Sequence, residues 1–407
     1  MKNGIIALLL LFTAIACKDM PKPILEQGIW RGTMRVKDNN ELPFTFKLAQ
    51  MGDGAYHVES YNADEVLKID EIQVTGDSIT IQMPVFEGYI KAAFTPTTMS
   101  GHFIIESLDR SVPFHATFGD TERFRVEREA DVDVAGIWET EFAPNTLESY
   151  MGKGIFTQNK NRVKGTFRTG TGDYRYLDGV VDGDSLKLST FDGSHVYLFK
   201  AKVTDSTLNG TFYSGNHYKV PFVSRRNEVF ELPDEDSLTY LREGYDKLSF
   251  SFPGTDGEMV SLEDERFKDK VVIVQIMGSW CPNCLDETKF LVEYLEGHKS
   301  KDLEIVALSF EYAKTEEGAF GAIARLRDRI GVPYPILLAQ YGSSNKALAQ
   351  EKLPMLNHIL SYPTTIYLDK QGNVRKIHTG FNGPATGEKY NEFKKEFDRF
   401  IKQLERE

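Results

Sequence analysis

Two tandem antiparallel all-β repeats followed by an α/β domain is the fold class predicted by this 407-residue sequence. Three observations carry that expectation. Gly28-Ile29-Trp30 returns as Gly136-Ile137-Trp138, and Gly76-Asp77-Ser78 as Gly183-Asp184-Ser185, so the first half is a duplication with an offset of about 108 residues. Within each copy, short segments alternate apolar and polar residues with period two between Gly, Asp and Asn turns. From about residue 245 the pattern changes to apolar β-branched runs alternating with amphipathic stretches, the signature of a central sheet covered on both faces.

The chain begins with Lys2, an apolar run from Ile5 to Ile15, and small Ala16 ahead of Cys17. That run is too short to span a bilayer comfortably, so residues 1–16 read as a cleaved signal. Ala14-Ile15-Ala16-Cys17 resembles the lipobox of bacterial lipoproteins, although Ala14 stands where Leu is usual. The resemblance implies lipidation at Cys17 and a chain held at the bacterial cell envelope, facing the periplasm.

The repeats are expected over 24–128 and 132–228. Further pairs support them, among them Phe86-Glu87-Gly88 with Phe191-Asp192-Gly193 and Pro113-Phe114 with Pro221-Phe222. Many short strands at this spacing predict a meander that closes into a barrel or packs as a sandwich. The early Gly-x-Trp resembles the first strand of avidin-like and lipocalin-like barrels, and Trp30 and Trp138 are expected to plug the core. A scaffold or interaction role is favoured for the repeats over a ligand cavity. Charged residues around Asp131 and at Asp234-Glu235-Asp236 read as solvated linkers, the second within a connection over 229–244.

In the last segment, 245–407, strands are expected at Val271 to Met277, Leu303 to Phe310, Tyr334 to Leu338, Thr364 to Leu368 and Val374 to Thr379. Helices are expected at 281–298, about 316–330, about 344–352 and 387–405. Trp280-Cys281-Pro282-Asn283-Cys284 falls where the first of these strands becomes a helix. Two thiols one helical turn apart form a reversible disulfide, and the helix N-terminus favours a thiolate at Cys281. Zinc is the competing use of such a pair, but a structural site needs about four ligands. No second cysteine pair exists, and the eight histidines are scattered, so no metal is expected. With Cys17 lipidated, the three cysteines leave no structural disulfide, and redox use remains. A net charge of −12 without a basic stripe argues against nucleic acid.

The last 160 or so residues resemble the TlpA/ResA-type thiol-disulfide oxidoreductases of the redoxin superfamily. The resemblance rests on Val271 to Cys284, on Tyr362-Pro363-Thr364-Thr365-Ile366-Tyr367-Leu368-Asp369, and on the entry segment Phe252-Pro253 to Leu262. It implies a thioredoxin fold that needs no cofactor. It also implies a cis Pro363 facing the cysteines, with the Tyr362 backbone pairing a substrate segment and Trp280 and Pro282 flanking the site. Thioredoxins place a buried Asp six positions before the first cysteine; here that position is Gln275, which cannot take a proton. Glu287 matches the carboxylate of the TlpA/ResA type and lies three residues after Cys284, so it is the expected base for that thiol. Asp286 is expected to be solvated. Pro282 directly follows the first cysteine, whereas the family usually has Pro before the second, and Lys289 replaces a usual Pro.

Together these features predict a thiol-disulfide oxidoreductase of the cell envelope exchanging with protein thiols and disulfides, more as reductant than oxidant, and fed by an upstream membrane electron donor. Two alternatives stand beside it. A peroxiredoxin-like peroxidase would need Thr or Ser three residues before the first cysteine, where this chain has Gly278. An envelope binding lipoprotein would carry its function in the β repeats.

Overall fold

The computed structural model describes residues 24–52, 54–343 and 345–407; Cys17 and the signal segment lie outside the described residues. Strands β1 to β9 span Gly28–Arg35, Glu41–Gln50, Tyr56–Asn62, Glu65–Ile69, Glu71–Thr75, Ser78–Gln82, Tyr89–Phe94, Thr98–Ile105 and Arg110–Phe118. They form one antiparallel sheet in the order β4-β3-β2-β1-β9-β8-β7-β6-β5, curled so that consecutive β4 and β5 are its two edges. Strands β10 to β18 span Gly136–Phe142, Tyr150–Asn159, Arg162–Thr169, Gly172–Asp173, Leu177–Asp182, Ser185–Phe191, Val196–Val203, Thr207–Ser214 and Tyr218–Arg226. Here β11 pairs with both β10 and β12, which closes the sheet on itself, with short β13 hanging from β12. The expected all-β repeats are therefore barrels, not sandwiches.

The duplicated tryptophans show why the sequence repeats. Trp30 and Trp138 are both 0 % exposed, and each indole Nε1 donates to the carbonyl four residues upstream, Glu26 O at 3.1 Å and Val134 O at 2.9 Å. A large apolar ring is buried while its one polar atom stays satisfied. In the second barrel Phe142, Phe167, Phe199, Phe212 and Phe222 fill the space around Trp138, and the Arg226 guanidinium lies 4.4 Å over its ring.

The C-terminal domain opens with the hairpin β19 (Ser251–Pro253) and β20 (Met259–Ser261). Its main sheet contains β21 (Val271–Met277), β22 (Leu303–Phe310), β23 (Ile336–Gln340), β24 (Thr364–Leu368) and β25 (Val374–Thr379), ordered β23-β22-β21-β24-β25. The first three run parallel, and β24 and β25 are antiparallel to their neighbours. β21 is central and buried at all seven positions, as an unbroken apolar run requires. Helices α1 (Pro282–Gly297), α2 (Glu316–Ile330) and α4 (Glu388–Arg406) put Leu291, Ile323 and Ile401 in one cluster with Val271 and Ile273. Helix α3 (Lys346–Lys352) covers the other face with Phe250 and Phe267 against Val272 and Val274. No helix among the described residues is long and apolar enough to cross a membrane.

Both barrels dock on this domain. Arg325 and Arg329 of α2 pair with Glu71 and Asp70 of the first barrel. In the second barrel, the turn from β12 to Tyr176 lies across the start of α1. The Ser361 hydroxyl donates to Thr171 O at 2.8 Å, Asn283 Nδ2 to Asp173 O at 3.1 Å, and Gly383 N to the Asp173 carboxylate at 2.6 Å. Arg175 is the pin. It is buried, donates to Pro282 O at 3.2 Å, and pairs with Asp286 of α1, Glu65 of the first barrel and, at 3.5 Å, Asp192 of the second.

Two expectations are corrected here. Asp286 is not solvated, because Arg175 engages it at the domain interface. Nor is Asp234-Glu235-Asp236 a solvated linker: Glu235 is buried against Arg168 at 3.0 Å, and the Asp236 carboxylate accepts from His378 Nδ1 at 2.7 Å. Runs of acid read as solvent-facing only when no buried cation waits opposite, and those cations lie on distant segments.

Trp138→Ala is expected to cost about 3–5 kcal/mol, read as an earlier barrel transition in urea; a loss below about 1 kcal/mol would contradict the plug role, since that is the range of ordinary surface changes. Arg175→Ala strands the buried Asp192 and the half-buried Glu65 and Asp286, and breaking a buried pair costs roughly 3–5 kcal/mol. In hydrogen exchange the amides of 171–175 are expected to exchange faster by at least about tenfold, the equivalent of 1.4 kcal/mol; unchanged protection would show that the turn is held without Arg175.

Candidate active site

Cys281 and Cys284 are free thiols at the start of α1. β21 ends at Met277, Gly278 carries no side chain, and Cys281 becomes the helix N-cap in extended conformation, with Pro282 at the first helical position. A Cβ at 278 would collide with the Trp280 indole, so the position that a peroxidase fills with Thr or Ser has no room here. The Cys281 sulfur accepts from Cys284 N at 3.2 Å and reaches Tyr362 O at 3.4 Å. The Tyr362–Pro363 peptide is cis and faces the pair. Trp280 is held by its Nε1 donating to Phe310 O at 2.8 Å and by stacking on Tyr312 at 3.9 Å.

The pair is covered. Cys281 is 6 % exposed and Cys284 not at all. The turn over 171–175 contacts all three segments around the sulfurs: Asn283 beside the pair, Ser361 before Pro363, and Gly380 to Gly383 after β25. From the other side Ser194 donates to Trp280 O at 3.1 Å.

Behind Cys284 lies Glu287, fully buried. Its Oε2 accepts from Gln275 Nε2 at 2.8 Å and its Oε1 from Thr365 Oγ1 at 2.7 Å. Burial raises its pKa, and the two hydrogen bonds only partly oppose that. Burial also pushes the Cys284 thiol well up, reinforced by its hydrogen bond to Cys281, with the charge of Glu287 adding a smaller push. Gln275 thus orients the Glu287 carboxylate.

A second buried carboxylate escaped sequence reading. Glu311, just past β22, accepts from Ser279 N at 2.9 Å and Ser279 Oγ at 2.7 Å, and also from Ser309. It fixes the loop that presents Trp280 and Cys281. Its only sequence signal was an acid directly after a buried strand. Arg175 gave none, since its partners are 17 to 111 residues away. Among the described residues no group of His, Cys, Asp and Glu is placed to hold a metal ion.

Comparison with known proteins places the domain. A family model described as Redoxin matches residues 244–392. Thioredoxin-like protein YneN of Bacillus subtilis is 30% identical over 140 residues, 34% of this chain and 73% of the relative. Thiol-disulfide oxidoreductase ResA of the same organism is 28% identical over 141 residues, 34% of this chain and 69% of the relative. A solved thiol-disulfide oxidoreductase from Bacteroides fragilis aligns at 22% identity over 37% of this chain and 99% of its own, with a TM-score of 0.27. Through its C-terminal domain this chain belongs to the thioredoxin-like, redoxin-type thiol-disulfide oxidoreductases.

Proposed function

We propose that the enzyme works through Cys281 and Cys284 as a periplasm-facing reductant of protein disulfides, anchored by lipid at Cys17 and recharged by a membrane electron donor. The observation that carries the reading is the placement of Cys281. It caps α1, is reached by the Cys284 amide, and lies 3.4 Å from the carbonyl that precedes cis Pro363. The Cys281 thiolate attacks a substrate disulfide, one substrate sulfur leaves with a proton, and a mixed disulfide forms. Cys284 then gives up its proton, attacks the Cys281 sulfur and releases the second substrate thiol. Trp280 and Pro282 border the attacking sulfur, and Tyr362 offers its backbone to the substrate segment.

Glu287 is the acid–base partner proposed for Cys284. A buried thiol whose pKa is raised cannot attack until its proton has somewhere to go, and Glu287 is the buried carboxylate that feels its charge. The shift fixes the sign. With its pKa raised, Glu287 stays protonated beyond the ordinary carboxylate range and accepts a proton only above that. Resolution should therefore accelerate as pH rises through the raised value. The same shift stabilises the fold below the ordinary Glu range, and that contribution is lost as pH rises through the raised pKa.

Cys284→Ser is expected to trap a mixed disulfide with insulin on a non-reducing gel, and Cys281→Ser none; equal trapping by both would overturn the assignment of the attacking thiol. Glu287→Gln should slow release of the mixed disulfide by about 10²-fold, the low end for a lost general base, and flatten its pH profile. A slowed but still pH-dependent release would make Glu287 merely structural.

A further inference from the structure

A cleft of about 200 Å³ lies between the two barrels and the Trp280 edge of the redox site. Its walls include two stacked aromatic pairs, His195 on Tyr197 at 4.3 Å and Trp280 on Tyr312 at 3.9 Å. Trp280, the residue before Cys281, lines the cleft, and Cys281 itself is 6 % exposed. Arg110 lines the cleft, yet its side chain makes no hydrogen bond or ion pair with any described residue. Its charge acts on Tyr197, Tyr312 and His217, so the guanidinium sits among the lining groups. His217 is held neutral, its pKa lowered to about 4 chiefly by burial. The opposite charge is Glu87, whose carboxylate accepts only from Ser107 N at 2.8 Å and pairs with no described cation. Glu87, Ile105, Ser107 and Arg110 also line a wider groove of about 870 Å³, so the cleft opens outward through it.

An unpaired guanidinium and an unpaired carboxylate in one aromatic-walled cleft suit a ligand that carries both charges and an apolar body. The volume falls below the ~300–1,000 Å³ of drug-sized pockets, which limits the ligand to amino-acid size. The peptide-facing side of the cysteines is meanwhile filled by the turn over 171–175. We propose that this cleft binds a small zwitterionic disulfide, its carboxylate on Arg110 and its ammonium on Glu87, and delivers it to Cys281 and Cys284 for reduction. The proposal rests on the reading of these cysteines as the exchanging pair, and adds a small substrate to the protein disulfides proposed above.

The balance is simple. The Cys281 thiolate attacks one ligand sulfur, the ligand S–S bond breaks, and the departing thiolate takes the proton that Cys281 gave up. Cys284 then attacks Cys281, the protein disulfide forms, and the second ligand thiolate takes the Cys284 proton. Two electrons pass from the protein dithiol to the ligand.

The test is single-turnover oxidation of the reduced full chain by cystine, by cystamine, which lacks carboxylates, and by neutral bis(2-hydroxyethyl) disulfide. Each rate is divided by that of free dithiothreitol with the same reagent. Losing a hydrogen bond to a charged group costs about 1.5–3 kcal/mol, so cystine should exceed the other two by at least about tenfold. Arg110→Gln should bring the three rates within about threefold of one another, and Arg110→Lys should keep part of the preference. No preference in the wild type, or a preference that survives Arg110→Gln, would overturn the proposal. So would an equal loss with all three reagents, which marks Arg110 as structural. If no disulfide oxidises the wild-type dithiol, the reading of Cys281 and Cys284 fails as well.

Discussion

One buried guanidinium holds the three domains around the cysteine pair. Arg175 leaves the second barrel in the left-handed backbone region, at φ 59°, a conformation that costs a residue other than glycine roughly 1–2 kcal/mol. Its charge, too, would be expensive to bury alone. Carboxylates from the first barrel, the second barrel and α1 offset both, and the Pro282 carbonyl completes the set. Because Pro282 and Asp286 flank Cys284 in sequence, the group that joins the domains also fixes the redox helix. The barrels are therefore part of the active site's surroundings and not a remote appendage.

Burial sets the chemistry behind the sulfurs as well. Cys284, Glu287 and Glu311 all lie out of water, and for each of them burial is the largest influence on its proton affinity. The two carboxylates nonetheless have different tasks. Glu311 takes three hydrogen bonds from Ser279 and Ser309 and acts on loop geometry. Glu287 takes two, from Gln275 and Thr365, which tie it to β21 and β24. A glutamine at 275 in place of an acid fits this division: it donates to the carboxylate without competing for the proton.

What was legible in the sequence was what local pattern encodes. The apolar run 271–277, the cysteine spacing and the Gly-x-Trp duplication each act over a few residues, so strand, N-cap and barrel plug could be read directly. The repeat offset even located the equivalent indoles. Whether the second repeat closed on itself depended on one pairing, β11 with β12, and local alternation is the same in a barrel and a sandwich. Asp286 and Glu235 were misread because helix position and charge describe a side chain's own element, not the arginine that a distant segment brings to it. The cover over the cysteines was invisible for the same reason. Thr171, Asp173 and Arg175 look like ordinary turn residues until the domain opposite is in place.

The barrels cover Cys281, which is 6 % exposed, so bulky partners are expected to reach it more slowly than small ones. Alkylation of the reduced full chain by iodoacetamide and by a polymer-linked maleimide, each normalised to free cysteine, measures this directly. The polymer reagent is expected to fall behind by at least about tenfold, as a closing free energy of 1.4 kcal/mol or more requires. Equal normalised rates would mean that Cys281 is open to solvent and that the turn over 171–175 does not cover it.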